Sequence, residues 1–427
     1  MRVGLLTHGS RGDVQPFVVL ARALAARGAR VELAGPPNSQ GFVEAAGVRS
    51  MVLPIDSHAF IASEEGQRIL TRGDVLTFVR ELGDALVAEW DAFAERTEEL
   101  AARSDVLVCN PITFPQVLTL VDPRDTPWAM QLTFPALPTA TFASPLMRGA
   151  PLPFGWMNRL THWLAEHAYW RSHTAPSRAW RRRRGMPSLR GRGQAIAREK
   201  GVPVLAAWAS ALSALPADAD PNHVQTGDWC APEDASFDGE LDPALDAWLA
   251  SGPPVVYVGF GSMPIASWPR LFEQLARIAV RSKVRVLVVR GWSAAEPEAD
   301  LPSDVLRVER AVDHRAVLPR CVAAVHHGGA GTTHAVLRAG LPSVVCPLMI
   351  DQFFWGWRVR ALGVGTSVRL TELDERSLEQ ALRYVLREDV RAEAATYRAR
   401  LPLDGAERAA ELVLRLAEAR GRTAPLP

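Results

Sequence analysis

Lysine is almost missing from this chain of 427 residues: of its 48 basic residues, only Lys200 and Lys283 are not arginine. That bias reads as genome composition rather than chemistry. Cysteine is scarce too. The four, Cys109, Cys230, Cys321 and Cys346, form no C-x-x-C pair, so their spacing supports neither a zinc site nor a redox dithiol. Cys109 and Cys346 lie in apolar runs, where a free thiol behaves as a small core residue, and a reduced, cytoplasmic setting is expected. A net charge of +1 leaves no global field for nucleic acid. No run approaches the roughly 18 apolar residues of a membrane span. The opening VGLL (3–6) is broken by His8, Gly9 and Arg11, well short of the apolar region of a secretory signal.

What is present is ordinary globular material, 48% hydrophobic and 22% charged. At roughly 100–200 residues per domain, two domains are expected. RVGLLT (2–7), RVELAGP (30–36), VRSMVLPI (48–55), DVLVCNP (105–111), PWAMQLTF (127–134) and PVLAAWAS (203–210) read as short buried strands separated by helical patterns. That alternation predicts a parallel sheet covered on both faces. The stretch 211–243 is rich in Ala, Asp and Pro, with HVQTGDW (223–229) a strand candidate at its edge. The alternation restarts with PPVVYVGFG (253–261), RVLVVRG (285–291), DVLRVERAV (304–312), AAVHHG (323–328) and PSVVCPL (342–348). The expected fold is therefore α/β, with two doubly wound Rossmann-like domains facing across a cleft. Residues 1–215 would form the first domain, 216–243 a linker and 244–402 the second domain. An amphipathic tail helix would follow over 403–427.

Four loops carry the chemistry. HHGGAGTTH (326–334) follows a strand and opens a helix. Its glycines let a ligand approach the backbone, and free N–H groups at a helix start favour an anion. With His327 and Thr332 as added donors, this is diphosphate binding without a lysine loop; a tight turn that needs glycine is the plain alternative. In PLMIDQFFWG (347–356), Asp351 and Gln352 open a helix, and a carboxylate beside an amide can hold several sugar hydroxyls. A helix-capping Asp is the alternative there. GFGSMP (259–264) offers Ser262 to a phosphate or sugar oxygen, but Pro264 breaks the dinucleotide fingerprint. In HGSRGDVQP (8–16), Arg11 suits a phosphate, and Asp13 suits either a helix cap or a base for an acceptor alcohol. Nine arginines and no acid fall between Arg171 and Arg198, including WRRRRG (180–185). An anionic membrane surface would attract them weakly, and a solvated face is the plainer reading.

With GSRGDVQPF (9–17), GFGSM (259–263), HHGGAGTT (326–333) and DQFFWG (351–356), the chain resembles the inverting nucleotide-sugar glycosyltransferases of GT-B fold, in their bacterial natural-product and sterol branch. The resemblance implies an acceptor domain first, a donor domain second, and a tail helix that crosses back to the first. It implies Asp13 as general base. His327, Gly329 and Thr332 would be diphosphate ligands, with Ser262, Ser10 and Arg11 beside them. Asp351 and Gln352 would contact sugar hydroxyls, and RAVDH (310–314) would be the nucleobase loop, with Val312 contacting through its backbone. Inverting transfer of a hexose or deoxyhexose from a TDP- or UDP-sugar is expected, with no metal and no other cofactor. The partners are the sugar nucleotide and an apolar hydroxylated acceptor: a polyketide, macrolide, aromatic aglycone or sterol. Trp128, Phe134, Phe142, Phe154, Trp156, Trp163, Tyr169 and Trp170 could line its pocket or simply fill a core. A nucleotide-sugar epimerase and a non-catalytic sugar-nucleotide-binding helper are the rivals. The aromatic 128–180 stretch speaks against the first, and the intact Asp13, His327, Asp351 and Gln352 against the second.

Overall fold

The computed structural model describes residues 1–56, 59, 63–72, 74–122, 125–147, 149–230, 241–261, 263, 265, 267–291 and 302–419. It contains two wholly parallel sheets. The first has seven strands: β1 (Arg2–Leu6), β2 (Arg30–Gly35), β3 (Arg49–Val52), β4 (Val106–Cys109), β5 (Trp128–Leu132), β6 (Val204–Ala206) and β7 (His223–Gln225), in the order β3-β2-β1-β4-β5-β6-β7. The second has six: β8 (Val255–Gly259), β9 (Arg285–Val289), β10 (Leu306–Glu309), β11 (Cys321–His326), β12 (Ser343–Val345) and β13 (Gly365–Ser367), in the order β10-β9-β8-β11-β12-β13. The expected fold class is the observed one.

Period-2 side-chain alternation explains why these strands are apolar throughout. Val3 and Leu5 of β1 and Val106 and Val108 of β4 enter one core, while Leu6, Leu107 and Cys109 enter the core on the other face. In the second domain Val256 and Val258 of β8 are separated from Val255 and Tyr257 in the same way. Strand β13 had no apolar run to announce it; GTS is short and polar, and pairing with β12 makes it a strand. Strand β7 lies inside the stretch read as a linker and pairs with β6, so the first sheet runs on to Gln225.

Each sheet reverses its winding once, between β1 and β4 in the first and between β8 and β11 in the second. Ligands of open α/β sheets collect at such points, beyond the carboxyl ends of the strands. The loops that leave β1, β8 and β11 carry three of the motifs.

The domains are joined by more than the chain. Phe142 meets Phe354 edge to face at 5.1 Å. Arg338 is paired with Asp228 at 2.6 Å, and Arg358 Nε–H donates to Leu212 O at 2.7 Å. The tail helix Gly405–Ala419 packs Ala406, Ala410 and Val413 into the core beneath the first helix, with Phe17 and Leu20. Among the described residues, no helix is long and apolar enough to cross a membrane.

Candidate active site

The loop after β1 becomes the helix Arg11–Ala25, and its N-cap is Ser10. Asp13 is therefore not the cap, nor does it precede the helix: it lies in the first turn and closes a capping box. Ser10 N–H donates to Asp13 Oδ2 at 2.7 Å and the Ser10 hydroxyl donates to the same oxygen at 3.0 Å. Gly12 N–H in turn donates to Ser10 Oγ at 3.2 Å. The box fixes the carboxylate, and burial pushes its pKa up to about 6 against the pull of the Ser10 bonds. Gly9 has φ +126°, and a Cβ there would run into the Asp13 carboxylate, so glycine is needed to bring the loop over it.

A second strand end buttresses this loop. Asn110 Nδ2–H donates to His8 O at 2.8 Å, and Thr113 Oγ1–H donates to Leu6 O at 3.1 Å. His8 is buried and its Nε2–H donates to Ile55 O at 2.9 Å; burial lowers its pKa. That imidazole is held in place by the fold and makes a poor alternative base. Asn110 and Thr113 went unnoticed in the sequence, although NPIT at the end of β4 carried the signal.

Across the cleft, the helix Ala330–Arg338 starts at the N-cap Gly329, and its first intrahelical bond is Thr333 N–H to Gly329 O, 3.0 Å. The amides of Gly331 and Thr332 are left as unpaired donors of a helix start, while Ala330 N–H is turned to the Asp351 carboxylate. His327 stands beside them with a buried Nδ1 that lacks a hydrogen-bond partner. Burial is the main cause that lowers its pKa to about 4, so the ring is neutral at pH 7. It is wedged between two glycines: a Cβ on Gly329 would reach its Nε2 at 2.5 Å, and one on Gly261 its Cε1 at 3.1 Å. His326 and His334, the other histidines of this motif, are both buried. His334 bridges the domains: Ala209 N–H donates to its Nε2 at 3.0 Å, while its Nδ1–H donates to Ala330 O at 2.7 Å.

Asp351 begins the helix Asp351–Ala361 after Ile350, whose φ of 46° is rare for a β-branched residue and marks local strain. Its pKa is raised to about 7, first by burial and then by the charge of Asp13. The amides of Asp351 and Ala330 and the Trp355 indole oppose that rise, although Trp355 Nε1–H closes no hydrogen bond. The structure thus brings Asp13 within electrostatic reach of Asp351, which itself lies against the start of the helix Ala330–Arg338.

The remaining residues are placed less simply. The acceptor oxygen of Gln352 is already taken, since Leu348 N–H and Met349 N–H donate to Oε1 at 2.8 and 3.1 Å. Only its Nε2–H group, 3.2 Å from Met263 Sδ, remains for a ligand, so the amide cannot offer a sugar both roles. Ser10 is committed to its cap. Arg11 reaches Gln15 along its own helix at 3.3 Å and lies over the Phe42 ring at 5.1 Å. Val312 buries its side chain with Leu287 and Val289, which leaves its backbone as the part that can face a ligand. Next to it, Tyr257 Oη and His314 Nε2 are hydrogen-bonded at 2.8 Å. Ser262 lies outside the described residues. Among those described, no group of three His, Cys, Asp or Glu side chains is arranged to hold a metal. Of the aromatic stretch, Trp128, Phe142 and Trp170 are core, whereas Phe154, Trp156 and Trp163 are exposed.

Two doubly wound domains with facing switch-point loops define a GT-B protein, and known proteins share both halves. Residues 3–87 match the glycosyltransferase family 28 N-terminal domain, and residues 280–414 match the C-terminal domain of erythromycin biosynthesis protein CIII-like proteins. The chain is 35% identical over 393 residues to O-mycaminosyltylonolide 6-deoxyallosyltransferase of Streptomyces fradiae, covering 90% of this chain and 89% of that one. It is 29% identical to the sterol 3-beta-glucosyltransferase of Saccharomyces cerevisiae, over 90% of this chain and 32% of that longer one. Among solved structures, the glycosyltransferase of kitacinnamycin superposes with a TM-score of 0.67 at 22% identity, covering 97% and 98% of the two chains. The glycosyltransferase VinC in complex with dTDP gives 0.65 at 18%, covering 98% and 100%. The protein belongs to the GT-B glycosyltransferases of the natural-product and sterol branch, and it is a glycosyltransferase.

Proposed function

We propose that the protein transfers a deoxyhexose or hexose from a nucleoside diphosphate to a hydroxyl of a macrolide-like apolar acceptor, in one inverting displacement. The observation that carries the reading is the half-buried Asp13 carboxylate, set at the switch point of one domain and within electrostatic reach of Asp351 of the other. A desolvated carboxylate with a raised pKa is a stronger base than a free one, and near neutral pH it is ionised for use.

In this mechanism Asp13 takes the acceptor proton as the oxygen attacks the anomeric carbon. The leaving diphosphate gathers negative charge, and the free amides of Gly331 and Thr332, with neutral His327, meet it. Asp351 and the Nε2–H group of Gln352 bind sugar hydroxyls. The backbone at Val312 takes the nucleobase, and Ser262, Ser10 and Arg11 have supporting roles at most. No metal is needed for the charge that this helix start can meet.

A dTDP-deoxysugar donor is favoured by the relative named for 6-deoxyallosyl transfer and by the neighbour solved with dTDP. Incubation with dTDP-deoxysugars and UDP-glucose against macrolide, aromatic and sterol acceptors tests the reading. A glycoside whose anomeric configuration is opposite to the donor's is expected. A product that retains the donor configuration would overturn the single displacement.

A further inference from the structure

Exposed apolar side chains are unevenly spread over this molecule. Among the described residues, six of the eleven large exposed hydrophobic side chains fall within one short stretch: Met147, Phe154, Trp156, Leu160, Trp163 and Leu164. The three aromatic residues in that exposed set, Phe154, Trp156 and Trp163, are all there, with 61%, 66% and 42% of their surface open to solvent. A scatter of single exposed apolar residues is normal, whereas a contiguous patch marks an interaction surface.

The patch is continuous with a cationic surface. Helix Gly155–Arg183 carries Trp156, Leu160, Trp163 and Leu164 in its first half. At 3.6 residues per turn these positions and Arg171, Arg178 and Arg182 share an arc of about 100°. The opposite side of the helix is buried through Asn158, His162, His173, Ser177 and Trp180. Arg171, Arg178 and Arg182 are exposed and have no carboxylate partner among the described residues. Arg183 and Arg184, by contrast, are neutralised by Asp91 and Glu98 at 2.5 and 2.7 Å. From Pro151 to Arg198 the sequence has ten arginines and one acid, Glu166, and that acid is turned inward to Gln194 N–H at 2.9 Å.

We propose that this face of helix Gly155–Arg183 docks the protein reversibly on an anionic lipid bilayer, with Trp156 and Trp163 in the interface and the free arginines on the headgroup phosphates. Tryptophan suits the boundary between apolar and wet layers, since its ring is apolar and its N–H polar. Arginines on the same arc are drawn to a negatively charged leaflet. Charge selects the occupant. A second copy would set the same unpaired arginines against their own kind, and a neutral apolar partner would leave them without counter-charges. The inference is independent of the transfer reaction.

Vesicle binding by the full chain tests it, read by co-sedimentation and tryptophan fluorescence. Phosphatidylglycerol vesicles should bind at least tenfold more tightly than phosphatidylcholine vesicles, with a blue-shifted emission, and raised salt should weaken the binding. Trp156→Ser with Trp163→Ser should reduce binding at least tenfold. Both positions are exposed, and Trp156→Ser alone serves if the pair lowers the melting temperature. Arg171→Glu with Arg178→Glu and Arg182→Glu should abolish the preference for the anionic lipid. Equal binding to both lipids, or no binding, would overturn the proposal, as would binding that both sets of substitutions leave intact. Concentration-dependent dimerisation that Trp156→Ser removes would overturn it in favour of a second copy.

Discussion

Asp13 and Asp351 come from different domains, yet their carboxylates feel each other: after burial, the Asp13 charge is the next cause of the rise that takes Asp351 to about 7. Two carboxylates close to one another resist ionising together. Asp13, raised to about 6, is largely ionised near neutrality and can be the base, with the Asp351 carboxyl poised beside it.

Turnover on an alcohol acceptor should therefore rise with pH through about 6, not through the usual aspartate range near about 4. Asp13→Asn should reduce it by about 10²–10⁴-fold. The amide Oδ1 still accepts from Ser10 N–H, so the helix start survives. Wild-type turnover in the folded variant would identify Asp13 as a capping-box residue alone.

Stability should follow the same carboxylates. Both hold protons more tightly in the folded chain than in the unfolded chain, where aspartate titrates near about 3.9. The folded state then binds more protons across roughly pH 4–7, and stability falls as pH rises through that window. Asp13→Asn removes one such group and lets Asp351 ionise more readily. Thermal melts should show no change at about pH 4 and a higher melting temperature than wild type at about pH 8. A lower melting temperature at the alkaline end would contradict the burial of Asp13.

Much of this site was legible because glycine and polar residues interrupt apolar strands at the switch points, and only a few loops do so. His327, Asp13 and Asp351 stand out as candidates for that reason. The capping box was not assigned, although Ser10 and Asp13 have its spacing, because Asp is itself a good cap. The committed oxygen of Gln352 could not be seen, since it depends on the backbone turn at Ile350. Burial of His326 and His334 was equally hidden: a histidine in a polar motif looks exposed until a second domain closes over it. Strand β13 was missed because pairing, not composition, creates it.

His327 should matter through its place as much as its identity. Loss of a hydrogen bond to a charged group costs about 1.5–3 kcal/mol, so His327→Ala should weaken donor use roughly ten- to hundredfold while acceptor binding changes little. Gly329→Ala should mimic part of that loss, because the new Cβ meets Nε2 at 2.5 Å and the ring must turn away. Donor kinetics and nucleotide binding of the two variants provide the check; an unaltered Gly329→Ala would mean that the ring can move without cost.

A nucleoside diphosphate should protect the amides of 326–334 and 351–353 from hydrogen exchange, because the free donors of the helix start lie there. Protection confined to the first domain would reject the donor assignment. Activity should also survive exhaustive EDTA treatment. A complete loss restored by magnesium or manganese would show that the helix start needs help with the diphosphate charge.

His334 offers the last test, since it ties that helix start to the other domain. Its Nδ1–H is held by Ala330 O and its Nε2 receives Ala209 N–H, and burial lowers its pKa, which keeps the ring neutral and able to accept. His334→Leu fills much of the space but leaves Ala209 N–H buried without a partner, a loss of about 1–3 kcal/mol. His334→Gln retains an acceptor at the end of a flexible chain and should recover part of it. If the tie also positions the diphosphate amides against the acceptor domain, the leucine variant should lose turnover beyond its loss of stability while nucleotide affinity holds. The glutamine variant should then restore both together. Equal melting temperatures for wild type and His334→Leu would show that the bridge carries no stability. A fall in nucleotide affinity as large as the fall in turnover would show that it shapes the donor site itself and not the fit between the domains.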